Sequence, residues 1–299
     1  FDYKAFLANH QIYHQAFLNP LQYIILKRDA GNPIITFALR LRKQFVKKFY
    51  RYLPDSESAA FASTLILGYR ADLSKELIEA YSKTGTMHVL SVSGMHVGIV
   101  FLVLTAVLKP MDKNKKLRLI RAFLIVLVIW FYSLLTGFSA PVCRSALMLS
   151  FVVFGKALNK SQNTYNLIAI SAFFLLLYNP FYLADAGFQL SYLAVTGLVY
   201  FHPKIYHAIL IRNKILDQAW SYCALSVAAQ LATFPISLYY FHQFPVYFLI
   251  SNLFIVLPVT IIMYAGIVFL IIPCSIVIQY LGSFLNWLIR HTNDFLYYI

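Results

Sequence analysis

Apolar runs close to bilayer length follow one another along this chain, and every second loop between them is basic. The runs cover residues 89–108, 117–135, 140–158, 164–181, 186–201, 218–241 and 246–271. A helix needs about 20 apolar residues to cross a bilayer core. Hydrophobic residues make up 60% of the chain, above the roughly 45–50% usual for soluble domains. The pattern predicts an all-α polytopic membrane protein with about seven transmembrane helices. The tail, 273–299, with "LGSFLNWLIRHTNDFLYYI", reads as an eighth span or an interfacial helix, and Arg290, His291, Asn293 and Asp294 favour the interface.

The loops orient these runs. "KPMDKNKKLRLIR" (109–121) holds six basic residues, "KALNKSQN" (156–163) two and "HPKIYHAILIRNKILDQ" (202–218) three. The alternate loops "TGFSAP", "NPFYLAD" and "HQFPV" hold none. Basic residues collect in cytoplasmic loops, so the first run enters from outside and residues 1–87 are extracytoplasmic.

Three parts follow from this reading. Residues 1–36 carry β-branched "QYIILKRD" and turn-like "DAGNP", and predict a short β remnant, the end of a small extracytoplasmic domain. Residues 37–87 predict interfacial amphipathic helices. In "FALRLRKQFVKKFYRYL" (37–53), Leu41, Phe45 and Phe49 lie on one side among Arg40, Arg42, Lys43, Lys47, Lys48 and Arg51. That basic collar suits lipid headgroups, a polyanion approaching the membrane, or both. Residues 88–299 form the transmembrane domain. The opening "FDYKAFLANH" has neither Met nor a signal-peptide core, and reads as part of a longer protein. Cys143, Cys223 and Cys274 are far apart and read as packing residues, with no metal or cofactor site.

Polar residues inside the runs carry the functional reading. In "HVLSVSGMHVGIV" (88–100), Ser93 and His96 project onto one helix face, and Gly94 and Gly98 form a small-xxx-small pattern for close helix contact. Asp185, Gln189, Tyr192 and Thr196 share a face of the fifth run, and Ser226, Gln230, Thr233 and Ser237 repeat that spacing in the sixth. Arg144 lies in the third run and Asn252 in the seventh. A charge at mid-helix costs roughly 2.5–3.5 kcal/mol on insertion scales, so such residues face a bundle interior or a wet cavity. Ser93, His96, Arg144, Asp185, Gln189 and Asn252 all fall in the outer half, which predicts a hydrated path there. Arg144 and Asp185 are expected to pair. Pro141, Pro235, Pro245 and Pro258, with Gly137, sit in or beside runs and would interrupt them.

The block "LILGYRADLSKELIEAYSKTGTMHVLSVSGMHVGIV" (65–100) resembles the signature of ComEC-type competence proteins, the membrane channels of bacterial DNA uptake. The resemblance continues through "TGFSAPVCRSALM" (136–148), "NPFYLADAGFQLSYLAVTGL" (179–198) and "AAQLATFPISLYYFHQFPVYFLISNLFIVLP" (228–258). The opening "FDYKAFLANHQIYHQAFL" is similar to the end of that family's extracytoplasmic OB-like domain. The resemblance implies passage of single-stranded DNA through the inner (cytoplasmic) membrane during natural transformation, with a DNA receptor and a cytoplasmic motor as partners. It also implies a nuclease domain elsewhere in full-length members. No HxHxDH-type cluster is present up to Ile299, so no enzyme activity is expected of this chain. Two other readings stay open: a small-solute transporter, and an intramembrane serine hydrolase with Ser93 as nucleophile and a histidine as base.

Overall fold

A computed structural model describes residues 4, 7–8, 12–19, 22–24, 31–242 and 246–298, and the regular structure among them is entirely helical. The expected β remnant is not found among the described residues. Lys4, Leu7 and Ala8 are helical, and 12–19 has no regular structure. Residues 25–30 and the Pro245 loop lie outside the described residues. The end of "DAGNP" starts a helix instead of a hairpin. Asn32 accepts the Ile34 N–H at 2.9 Å and Pro33 takes the first helical position, where its missing N–H costs nothing.

Helix α1 (Pro33–Tyr52) buries Ala38, Val46 and Phe49, while Ile34, Ile35, Phe37 and Leu39 at its front are exposed. Helix α2 (Ser56–Leu67) is capped by Asp55, whose Oδ2 accepts from the Ser58 N–H at 3.0 Å and the Ser58 hydroxyl at 2.8 Å. Burial alone would raise the Asp55 carboxyl, but these donors bring it below its ordinary value. Gly68 ends α2 at φ 69°, and a Cβ there would lie 2.9 Å from the Thr136 carbonyl oxygen. Residues 58–67 are all buried, so α2 is a core helix with no solvent face. Helix α3 (Lys75–Lys83) buries Leu77 and Tyr81.

The apolar runs correspond to α4 (Gly94–Val107), α5 (Lys115–Leu135), α6 (Ala140–Ala157), α7 (Thr164–Tyr178), α8 (Ala186–Tyr206), α9 (Lys214–Phe241) and α10 (Phe248–Ile271). Helix α11 (Ser275–Tyr298) follows. Among the described residues, α5, α6, α9 and α10 are long and apolar enough to cross a membrane, four helices where the runs predicted about seven. The difference has local causes. Ser93 caps α4 and cuts the first run to a 14-residue helix, roughly 21 Å at ~1.5 Å per residue. Helix α7 is shorter than a full span, and α8 carries Gln189, Ser191, Thr196, His202 and Lys204.

Loop alternation also fails at α10. Ile66 and Leu67 of α2, Val128, Phe131, Tyr132 and Leu135 of α5, and Ile267, Leu270 and Ile271 of α10 line one apolar crevice of about 240 Å³. The Tyr132 hydroxyl donates to the Ile66 carbonyl at 3.0 Å. Helix α10 therefore finishes beside the end of α5, whereas strict alternation puts those ends on opposite sides.

The tail is not a helix lying on lipid alone. Ile278, Leu285, Ile289 and Leu296 of α11 are buried in one cluster with Phe61, Leu65, Tyr81, Met263 and Phe269. Asn293, one of the residues that favoured the interface, is buried and accepts from the Tyr81 hydroxyl at 3.0 Å. Tyr81→Phe is expected to cost about 1–3 kcal/mol by leaving that buried acceptor without its donor. Thermal unfolding in nanodiscs measures it. Tyr297→Phe, which removes a longer, exposed bond to Glu57 (3.3 Å), should shift the melting temperature much less.

Candidate functional site

The polar stretch at 88–100 marks the start of a helix. Ser93 is extended (φ −116°, ψ 178°) and caps α4. Its Oγ accepts the Met95 N–H at 3.3 Å. The His96 Nδ1 accepts the Ser93 N–H at 3.0 Å, with Ser93 Oγ also 3.0 Å away. This is a capping box with histidine where Glu or Gln usually stands. Ser93 and His96 therefore meet end-on at a helix start, not side by side on one face. An imidazole accepting at Nδ1 carries its proton on Nε2, and that Nε2 is buried without a hydrogen-bond partner among the described residues.

Helix α6 delivers its charge to the same place. Pro141 sits in the first turn of α6, so the chain enters directly after the Gly137 turn (φ 94°). Arg144 is 6% exposed. Its Nη1 donates to the Ser191 carbonyl on α8, and its guanidinium lies 5.6 Å from the centroid of the Tyr192 ring. The Tyr192 hydroxyl shares a 2.9 Å hydrogen bond with Ser171 of α7. Arg144 Nε has no partner, and no carboxylate lies within ion-pair distance of the guanidinium among the described residues. A Cβ on Gly94 would stand 2.5 Å from Ser145 Oγ and 3.2 Å from Arg144 Nη2. The guanidinium thus faces the first turn of α4, whose backbone N–H groups already carry partial positive charge.

The expected pair between Arg144 and Asp185 does not form. Asp185 caps α8, its Oδ1 accepting the Phe188 N–H at 2.7 Å. Aspartate directly before a helix finds that partner first. Gly98 makes no close contact either: a Cβ there would meet nothing within 4 Å. Gln189 donates to the Leu183 carbonyl at 2.7 Å, and Thr233 donates within its own helix to Ala229 at 2.9 Å. Gln230 is half-buried on α9. Asn252 Oδ1 and Ser251 Oγ on α10 are buried without partners. One group thus holds Ser93, Gly94, His96, Arg144 and Tyr192. It also includes Ser145, Ser171 and the Ser191 carbonyl, which sequence reasoning missed. Ser145 follows Arg144 directly, and Ser171 is a lone hydroxyl in an apolar run; neither stands out by type.

The collar is divided. Arg40, Lys43, Lys47 and Arg51 are exposed, and Arg42 is half-buried. Lys48 is committed to the protein: its Nζ donates to the Leu270 and Ile272 carbonyls, both at 3.1 Å, at the C-terminal end of α10.

The stripes on α8 and α9 do not face each other across a tight seam. Those helices meet through small residues, with Gly197 against Ala232 and the Ala228 carbonyl. Ser226, Gln230, Thr233 and Ser237 are left half-buried, and Thr196 is exposed.

A family model described as "Competence protein" matches residues 65–299. ComE operon protein 3 of Bacillus subtilis is 27% identical over 287 residues, covering 96% of this chain and 35% of that protein. Recombination protein 2 of Haemophilus influenzae is 27% identical over 145 residues, covering 47% of this chain and 18% of its own length. This chain spans about a third or less of those two curated relatives. An uncharacterized protein of Aquifex aeolicus is also 27% identical, over 52% of this chain and 36% of that protein. No solved structure matches the chain. With the family model covering the buried cap, the arginine and every helix from α3 onward, the chain belongs to the competence protein family.

Proposed function

We propose that this chain is the membrane part of a conduit that passes single-stranded DNA through the bacterial inner membrane during natural transformation. The observation that carries the reading is Arg144, a buried cation that faces a helix N-terminus and has no carboxylate beside it among the described residues. A strand with one negative charge per nucleotide needs scattered positive and polar groups, and a long cationic run would trap it. Family membership and the relatives' names support the same reading. The exposed collar residues Arg40, Lys43, Lys47 and Arg51 attract the strand or anionic lipid at the outer surface. The chain works without cofactor or covalent chemistry, and a DNA receptor and a cytoplasmic motor act beside it. Small-solute transport is the alternative. Proton or ion coupling through His96 and Asp185, seen as solute-driven currents in proteoliposomes, would favour it.

One distance favours a second reading: Ser93 Oγ and His96 Nδ1 are 3.0 Å apart, within reach of a nucleophile and its base. The capping box accounts for that distance, and no third group orients the ring through Nε2. The experiment is labelled-DNA uptake in cells lacking the full-length gene and restored with point variants. Ser93→Ala is expected to keep substantial uptake. His96→Asn, which still accepts the Ser93 N–H, should keep more than His96→Leu. Labelling of Ser93 by a fluorophosphonate, or complete loss of uptake in well-accumulated Ser93→Ala, would sink the conduit reading in favour of hydrolysis.

Orientation is tested separately. Single cysteines at Asn114, Ser161 and Asn213, all exposed, should be shielded from an impermeant thiol reagent in intact cells lacking the native cysteines. A cysteine at exposed Ser139 should react. Equal labelling of both sets would overturn the orientation and the outer placement of residues 1–87.

A further inference from the structure

We propose that the apolar crevice between α5 and α10, bordered by α1, holds an acyl chain of one anionic phospholipid whose phosphate is seated at Arg42 and Lys48. Such a site does not depend on what crosses the membrane.

The crevice is open space of about 240 Å³ with apolar walls. Buried Ile66 of α2 and half-buried Val100 of α4 stand at its inner side. Its outward lips are Phe131 of α5 and Ile271 of α10, 36% and 73% exposed. It therefore opens between two helices long and apolar enough to cross a membrane. The medium on that side of such helices is hydrocarbon. Along α5 the lining runs from Leu135 back to Val128, roughly 10 Å at ~1.5 Å per residue. Apolar walls without a neighbour forfeit dispersion contacts, so a flexible acyl chain that reaches this slot is held there.

Charge stands at one end of the crevice only. Phe45 of α1 lines it, and Arg42 and Lys48 lie three residues to either side of Phe45, adjoining it on the helix surface. Arg42 Nη1 is 3.7 Å from where a Cβ on Gly137 would stand, in the turn after α5. Lys48 Nζ bonds the Leu270 and Ile272 carbonyls at the end of α10, both at 3.1 Å. The two cations thus mark the ends of the two helices that form the lips. Phe37 rests on Phe131, ring centroids 6.5 Å apart, which lays α1 beside the opening itself.

No acidic residue occurs in α1, and no carboxylate lies within ion-pair distance of Arg42 or Lys48 among the described residues. Arg42 offers a planar fork that matches two phosphate oxygens. Lys48 keeps its charge and one N–H beyond its two carbonyl bonds. Cations above and hydrocarbon below are the profile of a phospholipid. A nucleic-acid strand would lose its water in such a slot without gaining partners. A zwitterionic headgroup would bring a cation of its own to the same place, so an anionic headgroup is favoured.

Full-length protein purified in a nonionic detergent is melted with increasing phosphatidylglycerol or phosphatidylcholine of the same chains. Phosphatidylglycerol should raise the melting temperature at concentrations at least tenfold lower. Arg42→Gln should raise its half-saturating concentration at least tenfold and leave the phosphatidylcholine response unchanged. Arg42→Lys, which keeps the charge without the fork, should fall between. Lys83→Gln, a change at an exposed lysine paired with Glu79, should match the wild type. Val128→Phe puts a ring into the crevice and should abolish both responses. Glycerol phosphate, a headgroup without chains, should give no shift. Native mass spectrometry gives a reading that needs no variant to fold: wild type should retain one phosphatidylglycerol per chain under activation that strips phosphatidylcholine.

Equal response to the two lipids, or an unchanged phosphatidylglycerol response in well-folded Arg42→Gln, would overturn the seat. A phosphatidylglycerol response that survives Val128→Phe, or a glycerol phosphate shift as large as the lipid's, would remove the crevice from the site. Stabilisation by oligo(dT), lost in Arg42→Gln and without preference between lipids, would overturn lipid as the occupant.

Discussion

Gly94→Leu should deplete the protein from the membrane, while Gly98→Leu should leave its level unchanged. At Gly94 the first added carbon would come 2.5 Å from Ser145 Oγ, which is bonded to the Pro141 carbonyl of its own helix, and 3.2 Å from Arg144 Nη2, whose guanidinium is bonded to the Ser191 carbonyl on α8. Neither neighbour can retreat without breaking a hydrogen bond inside the bundle. Overpacking alone typically costs about 1–3 kcal/mol, and breaking a bond of the buried Arg144 adds to it. Native stability is only about 5–15 kcal/mol, so accumulation should fall several-fold. At Gly98 the same carbon meets nothing within 4 Å. Immunoblots of membrane fractions from cells expressing each variant decide it. Equal levels would mean that α4 and α6 do not meet through Gly94.

The second large effect is expected at Gly197. A Cβ there would collide with Ala232 and lie 3.0 Å from the Ala228 carbonyl oxygen, so α8 and α9 themselves would have to part. Backbone cannot rotate away as a side chain can. Gly197→Leu should therefore separate the α8–α9 hairpin and abolish uptake even where some protein remains. Gly197→Ala should give an intermediate loss. A disulfide probe reads the separation directly: cysteines placed at 196 and 232 in a cysteine-free background should cross-link less in Gly197→Leu than in the parent. Unchanged cross-linking would show that the hairpin does not depend on the glycine.

Helix positions were legible because apolar periodicity acts over whole helices. The positions of α5, α6, α7 and α9 match their runs within a few residues. What was not legible depends on contacts distant in sequence. Nothing local in "SESAAFASTLIL" says that α2 is buried all round, since small and hydroxyl residues also suit a surface helix. Asn293 looks like an interface residue until Tyr81 is placed beside it. At the site the errors were capping errors. Ser93 and Asp185 read as members of helix faces, but each is the residue before its helix. A serine followed three residues later by an imidazole is a weaker start signal than one followed by Glu, so the helix was drawn too early. Arg144 stands out in the sequence by charge, and charge also pointed to a carboxylate partner, but the partner is a backbone carbonyl and a ring.

The bonds that tie α1 and α3 to α10 and α11 set an order on synthesis. Lys48 bonds carbonyls 222 and 224 residues ahead of it, and Tyr81 waits for Asn293, 212 residues later. At about 5–20 residues per second, that interval lasts roughly 10–40 s. For that time α2, buried on every side in the finished fold, has been made without the α10 and α11 surfaces that finally enclose it. Helices α1 to α3 thus wait for the neighbours that α10 and α11 supply. Until then the nascent chain presents an unfinished face.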